Sequence, residues 1–157
     1  MLCESDTASA LSAADGRAPI LVSACLLGEP CRYDGASHPC SAVIELSKRR
    51  ELVPVCPEQL GGLPTPRVPS EIQPDGRVAD ATGVDRTAAF EAGAHEALRI
   101  AREHACVQAI LKEKSPSCGV RLVYDGSFTG ALVPGRGKTA ALLAASDIEV
   151  LSDEALQ

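Results

Sequence analysis

The chain has 157 residues, 45% hydrophobic but only 3% aromatic and without Trp, which allows one domain with a core of Ala, Val, Leu and Ile. A formal net charge of −6 and a pI near 5.0 argue against nonspecific duplex binding, which normally needs a basic face, but leave room for a small anionic or nucleobase ligand. No stretch approaches the ~20 apolar residues of a membrane helix.

Residues 1–18, rich in Ala, Ser, Thr and Asp, read as a flexible N-terminal extension. They show neither the basic n-region nor the apolar h-region of a secretory leader. Residues 19–157 read as a single α/β domain. Its first strand is the continuous apolar run Ile20 to Cys25, suited to a sheet covered on both faces. Leu26 to Cys40 is a polar loop carrying Gly28, Pro30, Gly35 and Pro39. A helix is expected over Ser41 to Arg50, with Lys48, Arg49 and Arg50 in its last turn, where the macrodipole favours cations. Leu52 to Val55 is the second strand. The Pro-rich segment Pro57 to Gly76 predicts an ordered loop, with Asp75-Gly76 as a hairpin turn. Asp85 can cap a long helix to about His104, whose Phe90, Ala94, Ala97, Leu98 and Ala101 recur at helical spacing. Val107 to Leu111 is the third strand. Val120 to Tyr124 and Phe128 to Val133 flank Asp125-Gly126 as a second hairpin. Lys138 to Ala145 is an Ala/Leu helix, and Ile148 to Leu151 a last strand. This alternation predicts a mostly parallel, Rossmann-like sheet with flanking helices and added hairpins.

Right-handed crossovers would bring the ends of the first three strands to one edge, and ligands of open parallel sheets bind at that edge. A cysteine follows each of those strands: Cys25, Cys56 in Cys56-Pro57-Glu58, and Cys118 in Ser115-Pro116-Ser117-Cys118-Gly119. Seven cysteines in a chain without a leader signal point to a reducing, cytoplasmic setting, where clustered thiols mean metal or catalysis more often than disulfides. Four-iron clusters usually take four thiolates. Three would leave one iron able to act as a Lewis acid toward a substrate atom. Glu58 lies close enough to Cys56 to serve as acid or base. Ser115 or Ser117 could orient a substrate, and Gly119 lets the backbone pass near a bulky cofactor.

Several motifs occur in order: Cys25-Leu26-Leu27-Gly28, Cys31-Arg32-Tyr33-Asp34-Gly35, Val55-Cys56-Pro57-Glu58, Gly61-Gly62-Leu63, Pro66-Arg67, Lys112 to Gly119, and Tyr124-Asp125-Gly126 closing on Phe128-Thr129-Gly130. Together they resemble the thiouracil desulfidase-like family over about residues 20–152. The resemblance implies a 4Fe-4S cluster held by Cys25, Cys56 and Cys118. It implies hydrolytic, non-redox desulfuration of a thiolated pyrimidine of the thiouracil or thiouridine type, with release of sulfide. It maps the family's carboxylate and serine onto Glu58 and Ser115. The chain departs from the family pattern at Arg86, where an apolar residue is expected. That position opens the long helix, so the cluster assignment is unaffected.

Blander readings accompany each residue. A buried Cys is often only a small apolar side chain. Cys31 could be a fourth ligand, a nearby spare thiol or a packing residue, and a fourth thiolate would close the catalytic iron. Cys40 and Cys106 read as structural, and Cys3 falls in the extension. Arg32 and Arg67 could grip an anionic ligand or pair with Asp34 or Glu71. Gly135 to Thr139 at a helix start could receive an anion, though its Gly spacing is too short for a Walker motif. The principal reading is therefore an iron–sulfur desulfidase acting on a small thiolated pyrimidine, with no DNA or membrane partner and large RNA disfavoured. The rivals are a metal- or cluster-binding structural or sensor module without turnover, and a metal-free hydrolase using the Gly135–Thr139 turn.

Overall fold

The computed structural model describes residues 18–156; the extension expected over 1–18 lies, except for its last residue, outside the described residues. Four strands, β1 (Ile20–Ser23), β2 (Leu52–Val55), β5 (Gln108–Leu111) and β8 (Glu149–Ser152), form one sheet in the order β2-β1-β5-β8. Every pairing is parallel. The expected Rossmann-like α/β architecture is thus observed. Two antiparallel hairpins are added: β3 (Ser70–Ile72) with β4 (Val78–Asp80), and β6 (Leu122–Tyr124) with β7 (Leu132–Pro134).

The continuous apolar strands are explained by burial on both faces. Ile20, Val22 and Ile110 point to a layer with Val43 and Leu46 of helix α1 (Ser41–Leu46). Leu21, Ala109 and Leu111 point the other way. There they meet Ala97, Leu98 and Ala101 of helix α3 (Thr87–Glu103), and Ala140 and Leu143 of helix α4 (Lys138–Ala145). Successive strand side chains alternate between faces, so each strand serves both layers. No helix among the described residues is long and apolar enough to cross a membrane.

Several boundaries differ from the sequence reading. β1 ends at Ser23, and Ala24–Leu27 turn into a 3-10 helix closed by Gly28 at φ 99°. α1 stops at Leu46, and backbone turns carry the chain on to Arg50. The segment after Cys56 is not all loop. Pro57–Leu60 form a one-turn helix, α2, because Pro is pre-organised for the first helical position. Asp85 does accept the Thr87 N–H at 2.8 Å, one residue outside the cap position held by Arg86. Arg86 itself donates from Nε to the buried Asp80 at 3.2 Å, which gives this departure from the family pattern a structural partner.

Candidate active site

The strand register places Ser23 beside Val55, and Val22 beside Ile110, so β1, β2 and β5 end level. The turns that follow them line one cavity of about 560 Å³. Its lining includes Cys25, Cys31, Cys56, Glu58, Arg67, Ser115 and Cys118. The three thiols expected at one edge therefore do share one chamber, and Cys31 joins them.

Each thiol is delivered by a backbone device. Cys25 sits in the 3-10 turn, and its carbonyl accepts the N–H groups of Gly28 at 3.2 Å and His38 at 3.0 Å. Those bonds fold the polar loop back over the turn and bring Cys31 inward. Cys56 occupies the N-cap position of α2, and its Sγ lies 3.6 Å from the Cys31 carbonyl oxygen. Cys118 is set by a turn in which Ser115 Oγ accepts the N–H groups of Ser117 and Cys118, both at 3.0 Å. α4 grips the same turn. Its first N–H groups donate to Pro116 and Ser117 carbonyls at 2.9–3.2 Å, and a Cβ on Gly137 would overlap the Ser117 backbone. The backbone N–H groups of Gly135, Gly137, Lys138 and Thr139 are thus spent within the chain, which leaves the metal-free hydrolase reading without the nest of free N–H groups it needs.

The Glu113 carboxylate completes the framework. Oε1 accepts the N–H groups of Val120 at 2.7 Å, Arg121 at 2.8 Å and Leu122 at 3.1 Å, while Oε2 meets Arg121 Nε at 3.2 Å. It ties the two ends of the Cys118 loop together. Burial alone would raise its pKa, but the N–H groups of Arg121, Leu122 and Val120 and the Ser152 hydroxyl hold it at about 2. Sequence reading did not single out Glu113. Its place directly after an apolar strand, among loop residues of one motif, was the available signal.

Three of the chamber thiols, Cys118, Cys31 and Cys56, sit in an environment that keeps them protonated when free of metal. Burial pushes Cys118 up to about 12, against the Ser23 hydroxyl that bonds to it. The Cys25 contact, partly offset by Cys56 and reinforced by burial, raises Cys31 to about 11. The Cys31 contact and then burial raise Cys56 as well. The six cysteines of the described residues are all free thiols. Among the described residues, no three His, Cys, Asp or Glu side chains converge tightly enough for a single metal ion. An all-thiol set that shares a chamber without meeting at a point fits a polynuclear iron–sulfur group, whose irons take different ligands.

Beside the thiols, Arg67 Nε donates to Glu58 Oε1 at 2.9 Å, with the Arg67 side chain almost fully buried. Arg67 Nη2 reaches the Cys31 carbonyl at 2.9 Å and Nη1 reaches Thr65 Oγ1 at 2.9 Å. This guanidinium is committed to the frame of the site rather than extended to a ligand. Glu58 Oε2 has no hydrogen-bond partner among the described residues. Arg32 lines the cavity with its Cζ 5.9 Å from the Tyr33 ring centroid. Ser117 is placed elsewhere: its hydroxyl is buried and bonded to Thr139 Oγ1 at 2.8 Å, off the cavity lining. Cys40 and Cys106 are buried in the two core layers.

Comparison with known proteins adds three findings. The profile of the 2-thiouracil desulfurase family matches residues 20–155. A solved structure titled 4Fe-4S-dependent thiouracil desulfidase TudS superposes with a TM-score of 0.80 at 43% identity, covering 89% of this chain and 93% of that one. The uncharacterized protein YbbK of Bacillus subtilis (strain 168) is 39% identical over 146 residues, covering 87% of this chain and 97% of its own.

Proposed function

The chain belongs to the 2-thiouracil desulfurase family of enzymes, and from that premise we propose that it removes sulfur from a thiolated pyrimidine with a 4Fe-4S cluster held by Cys25, Cys56 and Cys118. The observation that carries this reading is the convergence of those three thiols with Glu58 on one cavity. The similarity to TudS supports the cluster. When bound, the cluster supplies an iron with Lewis acidity toward the thiocarbonyl sulfur.

The chain's own residues do the rest. Water adds to the thiocarbonyl carbon, and the free Oε2 of Glu58 takes its proton. Glu58 returns that proton to the sulfur, the C–S bond breaks, and the added hydroxyl gives up its own proton through Glu58, so that the sulfur leaves as hydrogen sulfide and a carbonyl remains. Carbon exchanges sulfur for oxygen, and no electrons are gained or lost. Arg67 keeps the other carboxylate oxygen fixed, so one oxygen is held and one is free to work. Ser115 Oγ already accepts two N–H groups, so what it has left to offer a substrate or water is its O–H. Arg32 is the cavity cation free of an ion pair among the described residues, and it could meet an anionic substituent of the substrate.

A second reading, a cluster-binding module without turnover, rests on one observation: the Cys31 thiol contacts both Cys25 and Cys56. Four thiolates would close the cluster. Anaerobic reconstitution, iron and sulfide quantitation, and a sulfide-release assay with 2- or 4-thiouracil separate the two. Iron with sulfide release supports the desulfidase. Iron without release from any thiolated pyrimidine supports the module, and no iron after reconstitution overturns both.

A further inference from the structure

Aromatic residues are scarce here: two Phe, two Tyr and no Trp. Three of the four, Tyr33, Tyr124 and Phe128, line the thiol cavity, while Phe90 is buried against the core. A fold packed on Ala, Val, Leu and Ile has no structural need for rings at that chamber. Their concentration suits a ligand with a flat π face.

Phe128 is the most unusual of the three. Its φ of 59° lies in the left-handed region, where a bulky residue is an outlier. The residue stays 37% exposed, so core packing does not compensate the strain. The conformation is imposed from outside. The nearly buried Glu71 carboxylate accepts, through Oε1, the N–H groups of Gly126 at 3.0 Å and Phe128 at 3.1 Å. Gln73 Nε2 donates to the Gly126 carbonyl at 3.3 Å. A Cβ on Gly126 would lie 2.9 Å from the Ile72 carbonyl oxygen, so this turn is pressed against β3. Asp125, Ser127 and Thr129 cross-link the loop through hydroxyl bonds. Strain over-determined by its surroundings is characteristic of functional positions.

We propose that Phe128 is a specificity-determining residue that stacks on the face of the substrate ring, and that Glu71 is the positioning residue that holds it there. The proposal rests on the pyrimidine reading above and adds how the ring is recognised. Stacking is indifferent to ring substituents but not to planarity, so the site selects flat heterocycles over saturated thioamides.

The test uses the reconstituted protein with 4-thiouracil and with 5,6-dihydro-4-thiouracil, which keeps the thiolactam but loses the flat π face. Phe128→Leu raises KM for 4-thiouracil by about ten- to a hundredfold, the range of a lost base–aromatic stack, with kcat changed far less. It leaves KM for the dihydro compound nearly unchanged, and Phe128→Tyr restores the wild-type preference. Glu71→Ala follows Phe128→Leu in KM. Uracil binding by equilibrium dialysis on the metal-free protein supplies a readout independent of turnover, and it weakens by a similar factor in Phe128→Leu. Unchanged uracil affinity in Phe128→Leu, or no uracil binding by the wild type, overturns the stacking role. Uracil affinity lost in Phe128→Leu with no sulfide release by the wild type keeps the stacking role and overturns the desulfidase reading.

Discussion

Arg67 Nε and Glu58 Oε1 stand 2.9 Å apart, the arginine side chain 7% exposed and the glutamate 16%. The same guanidinium bonds to the Cys31 carbonyl, so one side chain ties the proposed proton carrier to the cysteine loop. A planar fork serves three directions at once, and an ammonium cannot. Arg67→Lys is therefore expected to lower kcat at least tenfold while most of the iron is retained. Arg67→Ala leaves the Glu58 charge unpaired in a partly buried site and should cost about 3 kcal/mol of stability, read as a urea midpoint. Glu58→Gln should leave iron content intact and lower kcat by about 100-fold or more, the scale of a lost general base. Full turnover in Glu58→Gln with an intact cluster would remove Glu58 from the mechanism.

Gly93 allows a sharper test, because two effects oppose each other there. It lies inside the 17-residue helix α3, where Ala is favoured over Gly by about 1 kcal/mol. Yet a Cβ at Gly93 would overlap the Pro57 carbonyl, and one at Gly61 would overlap the Ala89 carbonyl. α2 and α3 touch backbone to backbone, and that contact aims Cys56 and Glu58. Gly93→Ala is expected to destabilise the protein by about 1–3 kcal/mol, an overpacking cost that exceeds the propensity gain. It should also reduce iron incorporation. A raised melting temperature with full iron would show that α2 shifts freely.

The cysteine edge was legible in the sequence because its signals are local: an apolar run, a Cys, then Gly, Pro or Ser. The hairpin at Asp75-Gly76 and the helix from Lys138 were legible for the same reason. What escaped depends on partners far along the chain. Glu113, Glu71 and Asp80 look like ordinary charged residues, since what they bind is mainly backbone N–H groups. Such donors leave no trace in residue type. Ser117 and Ser115 are indistinguishable as turn residues until Thr139, 22 positions later, takes up the Ser117 hydroxyl. Arg67 read as a ligand grip or a partner of Asp34 or Glu71 because its distance from Glu58 along the chain gives no hint that the loop between them closes that pair.

The buried Glu113 carboxylate makes stability fall in acid. Its folded pKa, about 2, lies below the ordinary value of 4.5. Its contribution is thus complete above pH 4.5 and is lost as the pH falls toward 2. Asp80 titrates in the same window, held at about 2 chiefly by the Thr82 hydroxyl against burial, with the Val84 and Thr82 N–H groups and Arg86 assisting. The metal-free wild type should therefore lose urea resistance between pH 4.5 and 2. Glu113→Gln should be less stable at pH 7 by about 1–3 kcal/mol and lose less on acidification. The two proteins should converge near pH 2. Parallel curves through that window would mean that Glu113 is not ionised in the fold.

Cys31 decides whether the site is open. Its thiol contacts Cys25 and Cys56, yet the Cys31 backbone carbonyl is also engaged, by Arg67 Nη2 at 2.9 Å. A residue held by its backbone can serve the loop without giving its sulfur to iron. Cys31→Ser is therefore expected to keep about four irons per chain after anaerobic reconstitution, the stoichiometry of a four-iron cluster. Cys25→Ser, Cys56→Ser and Cys118→Ser should each lose most of that iron, and sulfide release with it. Ser is nearly isosteric with Cys and keeps the packing, and circular dichroism of each metal-free variant checks that the fold is retained. If Cys31→Ser loses iron as fully as the other three, the cluster has four protein ligands. The exchangeable iron on which desulfuration depends would then have to be opened by substrate.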